Sequence, residues 1–530
     1  MPHLEEIAKT GVSGPLRSTL PPQSLPAWPS FATGMNPGKH GVYSFFTIEP
    51  STHVARPFSS EDIRGLTIWD YLSSKGSQCI LVNMPLTYPP YPISGIMVSG
   101  FPAPPGPIKS AEITCFPESL GDELKSVAPG YKIEPPITRD YQTVIGDEST
   151  ILKMIYDTMK ERTRLALYLI KEKPWDVFCV IFTCSDRVEH IFWRHFEPKH
   201  PASTAKGLHE YSSVIPEFFH ALDDALGLIR AKIDNSTTTI VVSDHGHSAQ
   251  VAQVGVNQLL ADVGMLKYHG AYRVGLTRDR LTRLAASLGL SVFLVKRLVP
   301  KRFLDKISSG VEYSQSTAYC YRFGAINLNI KGRDGDGVVE KEKFDLMRDK
   351  IAALLLGYTD SQTGERIVEK VLKPEEIYWG ERLSAAPDLL AIFRDGYGPE
   401  SWNPNGKTIQ RIDSSEFDVT KPIIECGGHH WLSTMNGILF ACGPSISRGE
   451  PVNGAEIIDI APTIIHLLSL PIPKNIDGKV LPIFRHDSEA ALRPIQYASD
   501  LQIHSQPAST WTEQEEAEVT KRLADLGYLG

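Results

Sequence analysis

The chain has 530 residues, 42% of them apolar and 22% charged, with a net charge of -8 at neutral pH. That length can bury a large core, and the balance excludes a disordered or collagen-like chain. There is no long run of Lys or Arg, so a nucleic-acid polymer is not an expected partner.

The first residues, MPHLEEIAKTG, predict an amphipathic helix and show no apolar leader of the secretory kind. Seven cysteines stand singly, at 79, 115, 179, 184, 320, 426 and 442, with no CxxC pair. An odd, scattered set favours a reducing compartment, so a cytoplasmic location is expected. Nowhere do eighteen apolar residues run together, and no membrane span or membrane partner is expected.

The segment STLPPQSLPAWPSFATGMNPGKHGVYSFF (18 to 46) is dense in Pro, Gly, Ser and Thr and reads as a loop offering several hydroxyls. After it, strand and helix patterns alternate. Apolar runs that stop at polar residues predict strands at 79 to 85, 177 to 186 and 237 to 246, and helical periodicity covers 149 to 170 and 214 to 233. Strands buried on both faces and joined by helices imply an α/β fold with a mostly parallel central sheet flanked by helices. In such sheets ligand sites gather at the carboxyl ends of the strands.

Residues 1–265 are therefore assigned to a core, and 266–384 to an inserted α+β cap. The cap carries the basic run RDRLTRLAASLGLSVFLVKRLVPKRFLDKI, short strands around YRFGAINLNIKG and the helix KEKFDLMRDKIAALLL. The basic run could draw in an anionic substrate, or it is simply a solvated helix face. The core resumes over 385–490 with strands PDLLAIF (387 to 393) and NGILFACGP (436 to 444) and a helix at 459 to 470. Residues 491–530 form a tail ending in a short charged helix.

Three polar clusters fall at or near predicted strand ends. Asp186 and His190, four apart in SDRVEH, share one face if the chain turns helical there, and could grip one ion. A surface ion pair would give the same spacing. Asp244 and His245 in VVSDHGH end a second apolar strand, and Gly246 would allow a sharp turn that lets both converge; a turn Asp beside an incidental His is the plainer reading. His429 and His430 lie in the glycine-rich CGGHHW. Singly each cluster is ordinary, but together they form a carboxylate and imidazole set suited to zinc or manganese. A hydroxyl from the 18 to 46 segment, poised on such an ion, becomes a nucleophile.

In their order and spacing, SLPAWPSFATGMNPGKHG, SDRVEH, SDHGH, GGHH and the closing DIAPTIIHLLSLPIPKNIDGKVLP resemble the type I phosphodiesterase and nucleotide-pyrophosphatase family of the alkaline-phosphatase superfamily. The resemblance implies an alkaline-phosphatase-like fold and two divalent ions, zinc or else manganese. It implies Ser24 as nucleophile, with Ser30 and Thr33 as nearby alternatives. Asp186, His190 and His429 match the ligands of one ion, with His430 an alternative to His429. Asp244, His245 and Ser24 match those of the other.

The implied reaction is in-line attack of Ser24 on a phosphoryl centre of a small phosphate ester, then hydrolysis of the phosphoseryl enzyme. The same site would suit a phosphomonoesterase, a phosphonate hydrolase or a phosphoglycerate mutase-like enzyme. A sulfatase is disfavoured, since the Cys/Ser-x-Pro-x-Arg motif is missing around Ser24.

Members of the family normally open with an apolar strand ending in Asp-Gly, whose Asp serves the ion beside the nucleophile. This sequence opens with the helix and turn expected after that strand, and its only acids before Ser24 are Glu5 and Glu6. A first core strand is thus expected to be missing, through a recorded start downstream of the true one or through real loss. The second expectation is weak binding of that ion, and a degenerate, non-catalytic member is the competing function.

Overall fold

The computed structural model describes residues 1–64, 66–104, 113–137, 148–269, 310–400, 407–413, 425–500 and 511–525. The basic run at 278 to 307 lies outside them. Helix α1 (Pro2–Thr10) is the amphipathic helix its sequence predicts, with Ile7 buried. The N–H groups of His3 and Leu4, which have no partner within the helix, donate to the Asp223 carboxylate at 3.0 and 2.8 Å.

Strand β1 (Val12–Arg17) follows directly, where the sequence suggested a turn. Helix α2 (Ser24–Thr33) then occupies the stretch read as a loop. Pro29 inside it forfeits a backbone hydrogen bond, yet Ala27, Trp28, Phe31 and Ala32 are buried in the main core. Burial of that face outweighs the helix-breaking composition.

Strands β2 (Cys79–Met84), β3 (Gly95–Ser99) and β4 (Cys115–Phe116) lead to the long helix α3 (Glu148–Glu172) and to β5 (Val177–Val180). Next come α4 (Cys184–Phe196), α5 (Val214–Arg230) and β6 (Thr239–Val242). The latter half of the core adds β12 (Asn436–Cys442) and helix α7 (Ile460–Leu467), after the elements of the insertion described below.

The core strands form two sheets. In one, β2 lies between β3 and β5, parallel to both, with β4 antiparallel on the edge. In the other, β12 lies between β1 and β6, antiparallel to both. No hydrogen-bonded ladder joins β5 to β6 among the described residues. The four residues of each are half-buried, whereas every residue of β2 is buried. The carboxyl ends of these two edge strands lead into the segments that carry the candidate ligands.

Between the two halves of the core, β7 (Ala252–Gly255) leads to an antiparallel sheet of β8 (Ala318–Arg322), β9 (Ala325–Leu328), β10 (Val368–Leu372) and β11 (Leu389–Phe393), backed by α6 (Phe344–Gly357). Strand β11 differs from expectation, because the sequence placed it in the core and it pairs instead with β9 and β10. All five of its residues are buried, and an unbroken apolar run fits the centre of any sheet. Among the described residues, no helix is long and apolar enough to cross a membrane, and all seven cysteines are free thiols.

Candidate functional site

Asp186 and His190 lie one turn apart near the start of α4. The opposite face of that helix fixes their direction: Val188, Ile191 and Phe192 pack with Ile155 and Met159 of α3 and Phe218 of α5. Phe192 is fully buried, and truncating it would cost about 3–5 kcal/mol. The buried pair of Arg187 Nε with Glu134 Oε2, 3.2 Å, holds the first turn of α4.

Beyond β6, Ser243 ties the chain to β12, accepting from Ile438 N at 2.9 Å and donating to His245 O at 3.2 Å. Gly246 N–H donates to Thr434 O at 2.9 Å. The reason for a glycine here differs from the one expected. Its φ lies outside the left-handed region, and a Cβ would fall 2.8 Å from Asn436 O, so glycine is needed for close approach to β12.

The third segment runs alongside α4: Cys426 N–H donates to His190 O at 2.9 Å, and Gly427–Gly428 pair antiparallel with Ser248–Ala249. It delivers His429 between the other two clusters. The His429 ring stacks on His245 at 3.8 Å, with its Nε2 4.0 Å from Asp186 Oδ1. His430 turns away and stacks on Phe323 at 4.6 Å.

Three imidazoles share one arrangement. His190 Nδ1 lies 2.8 Å from Gly427 O, His429 Nδ1 2.8 Å from Pro22 O, and His245 Nδ1 3.0 Å from Gly246 O. A carbonyl can only accept, so each Nδ1 carries a proton, and a ring in its neutral form keeps its lone pair on Nε2. Those Nε2 atoms face carboxylate and hydroxyl oxygens: His190 lies 3.2 Å from Asp186 Oδ1, and His245 lies 3.4 Å from Asp244 Oδ2 and 3.2 Å from Ser24 Oγ. Asp186 Oδ1 and Asp244 Oδ2 are shielded from solvent and make no well-formed hydrogen bond among the described residues. Rings fixed through Nδ1, with buried oxygens left over, fit the chemistry of a divalent transition ion.

Burial pushes the Asp186 carboxyl up, but His190, Arg187 and His429 outweigh it and hold it well below the usual range. Burial likewise disfavours a charged His190, yet Glu425 and Asp186 raise it to about 9. His429 is held neutral, first by burial and then by His245 and His430. Glu189, beside this cluster, is raised to about 8 by burial and by the Asp186 charge.

The hydroxyls expected as alternatives to Ser24 are engaged elsewhere. Ser30 Oγ lies 2.9 Å from His40 Nε2, and Thr33 Oγ1 donates to Pro29 O at 2.7 Å. The structure thus brings Asp186, His190, Asp244, His245, His429 and Ser24 together and sets His430 to one side. Sequence reasoning passed over His247, whose ring edge meets His190 at 4.6 Å. Its signal was the second histidine of SDHGH.

An α/β core with a histidine and carboxylate cluster at its strand ends is joined by a direct family match. Residues 1–411 match the family described as type I phosphodiesterase / nucleotide pyrophosphatase, and the chain belongs to that family, within the alkaline-phosphatase superfamily. No curated protein matches it. Among solved structures it is similar to murine ectonucleotide pyrophosphatase / phosphodiesterase 5, at 15% identity over 91% of each chain and a TM-score of 0.44. It is also similar to phosphonoacetate hydrolase from Sinorhizobium meliloti 1021 in complex with phosphonoformate, at 14% identity over 87% of this chain and 88% of that one, TM-score 0.49.

Proposed function

We propose that this protein hydrolyses phosphodiester or nucleotide-pyrophosphate bonds of a small substrate, with Ser24 as the nucleophile. Asp186, His190 and His429 would hold one divalent ion and Asp244 and His245, with Ser24, another; zinc suits these ligands, and manganese is the alternative. The observation that carries the reading is Ser24 Oγ, 3.2 Å from His245 Nε2, in a chain of the type I phosphodiesterase family.

Divalent ions bound at these side chains would supply Lewis acidity that favours the serine alkoxide and offsets phosphoryl charge. The residues supply the geometry. Ser24 is the first residue of α2, so its oxygen sits at the positive end of that helix, where an anionic phosphoryl group is favoured. Its Oγ forms the bond to phosphorus while the bond to the leaving oxygen breaks. Water then attacks the same phosphorus, releasing phosphate product and restoring the hydroxyl. Gly427, Pro22 and Gly246 carbonyls keep the three imidazoles oriented throughout.

The test is turnover of bis-p-nitrophenyl phosphate beside p-nitrophenyl phosphate by the zinc- or manganese-loaded chain. Preference for the diester, with a drop of about 10³-fold or more in Ser24→Ala, is expected. Preference for the monoester would replace the reading by a phosphomonoesterase. Undiminished turnover in Ser24→Ala would remove Ser24 as nucleophile, and no turnover of either ester would favour a non-catalytic member.

A further inference from the structure

His247 is a half-buried histidine with no partner for its ring nitrogens among the described residues. Both of its ring nitrogens are shielded from solvent, and neither makes a hydrogen bond among the described residues. Its ring neighbours are the edge of His190 at 4.6 Å, the ring of Trp193 at 5.4 Å and the ring of His429 at 5.8 Å, and these ring contacts are not hydrogen bonds to an imidazole nitrogen. Buried polar groups are ordinarily paired, and one that is not calls for an explanation such as an ion.

The backbone makes room for this ring. A Cβ on Gly427 would fall 2.7 Å from His247 Nε2 and 2.5 Å from Glu189 O, so a side chain at 427 would collide with it. One ligand atom each from Asp186, His245 and His247 lie within 4.8 Å of one another, as do those of Asp186, His190 and His429. Tetrahedral zinc with bonds of about 2.0–2.1 Å spaces its ligand atoms by about 3.4 Å, so small side-chain rotations would close either set.

We propose that His247 is a metal ligand, forming with Asp186 and His245 a coordination set for a divalent transition ion beside Ser24. Asp186 is then common to this set and to that of His190 and His429. The inference rests on the proposed two-ion site and revises it: the ion next to the nucleophile gains a neutral imidazole that the sequence motifs did not assign. Two imidazoles and a carboxylate form a donor set suited to zinc.

The experiment measures zinc affinity by competition with a chromophoric chelator, and the visible spectrum of the cobalt(II)-loaded full chain. Wild type is compared with His247→Gln, His247→Leu and Asp186→Asn, and the melting temperature of each metal-free protein is recorded. Loss of His247 is expected to weaken one of two binding steps by about 10- to 100-fold and to change the cobalt spectrum. The metal-free melting temperature should stay close to wild type in at least one of the two His247 variants.

Unchanged affinity and spectrum in a folded His247 variant, with binding lost in Asp186→Asn, would overturn this inference and leave the Asp186 site standing. Unchanged binding in Asp186→Asn as well would overturn both. A lower metal-free melting temperature with unaltered affinity would reduce His247 to a packing residue.

Discussion

His245 and His429 lie ring on ring, their centroids 3.8 Å apart and their planes 16° from parallel, although they come from opposite sides of the inserted sheet in the sequence. Stacking fixes where each Nε2 points, one toward Ser24 at 3.2 Å and the other toward Asp186 at 4.0 Å. His430, the next residue, is stacked on Phe323 instead.

This asymmetry separates two histidines that the sequence left interchangeable. His429→Ala is expected to lower zinc affinity by about 10-fold or more and diester turnover by at least as much, whereas His430→Ala should change either by less. Metal analysis after dialysis and kcat/KM on bis-p-nitrophenyl phosphate give the comparison. A larger loss in His430→Ala would reverse the assignment.

His40 sets a pH dependence away from the ligand cluster. It is fully buried; Val42 N–H donates to its Nδ1 at 3.1 Å, so its Nε2–H donates to Ser30 Oγ at 2.9 Å. Burial, with the nearby Arg382 charge, lowers it to about 3, and Asp477 opposes this only in part. A histidine neutral when folded and near its ordinary value when unfolded stabilises fully above about pH 6.5. That contribution falls with acidification toward pH 3, by about 1.4 kcal/mol per unit for one proton. Urea midpoints from pH 7 to pH 4 should therefore drop less steeply in His40→Gln than in wild type. Parallel slopes would show that His40 does not carry this proton linkage.

Asp477 ties the segment that follows α2 to two distant parts of the chain. Its Oδ2 accepts from Asn36 N and Nδ2, both at 2.9 Å, and its Oδ1 accepts from Lys39 Nζ at 2.6 Å and Trp379 Nε1 at 3.0 Å. These bonds hold its carboxyl below the usual range although burial acts the other way. Asp477→Ala is expected to cost about 2–3 kcal/mol in chemical denaturation and to lower turnover through the loosened end of α2. Asp477→Asn, which keeps the shape and two acceptor sites, should lose less. Equal stability of Asp477→Ala and wild type would contradict the role drawn for this carboxylate.

Much of the candidate site could be seen in the sequence because its parts are local. An apolar run that stops at SDRVEH or at SDHGH marks a strand end by itself, and a four-residue spacing puts Asp186 and His190 on one face once α4 begins. The resemblance to the family proposed Ser24 as nucleophile and the division of the candidate ligands into two sets.

What the sequence determined is which segments are apolar, which polar groups sit at their ends and which family the order of motifs belongs to. Those properties depend on neighbours along the chain. Tertiary structure alone decided that 24 to 33 is a helix, that 389 to 393 joins the inserted sheet, that the Nδ1 protons of three histidines are taken by backbone carbonyls, and that His247 is left with two idle nitrogens. Each depends on contacts between residues far apart in sequence, where burial of one face outweighs local propensity and a carbonyl on another segment settles which imidazole nitrogen stays free.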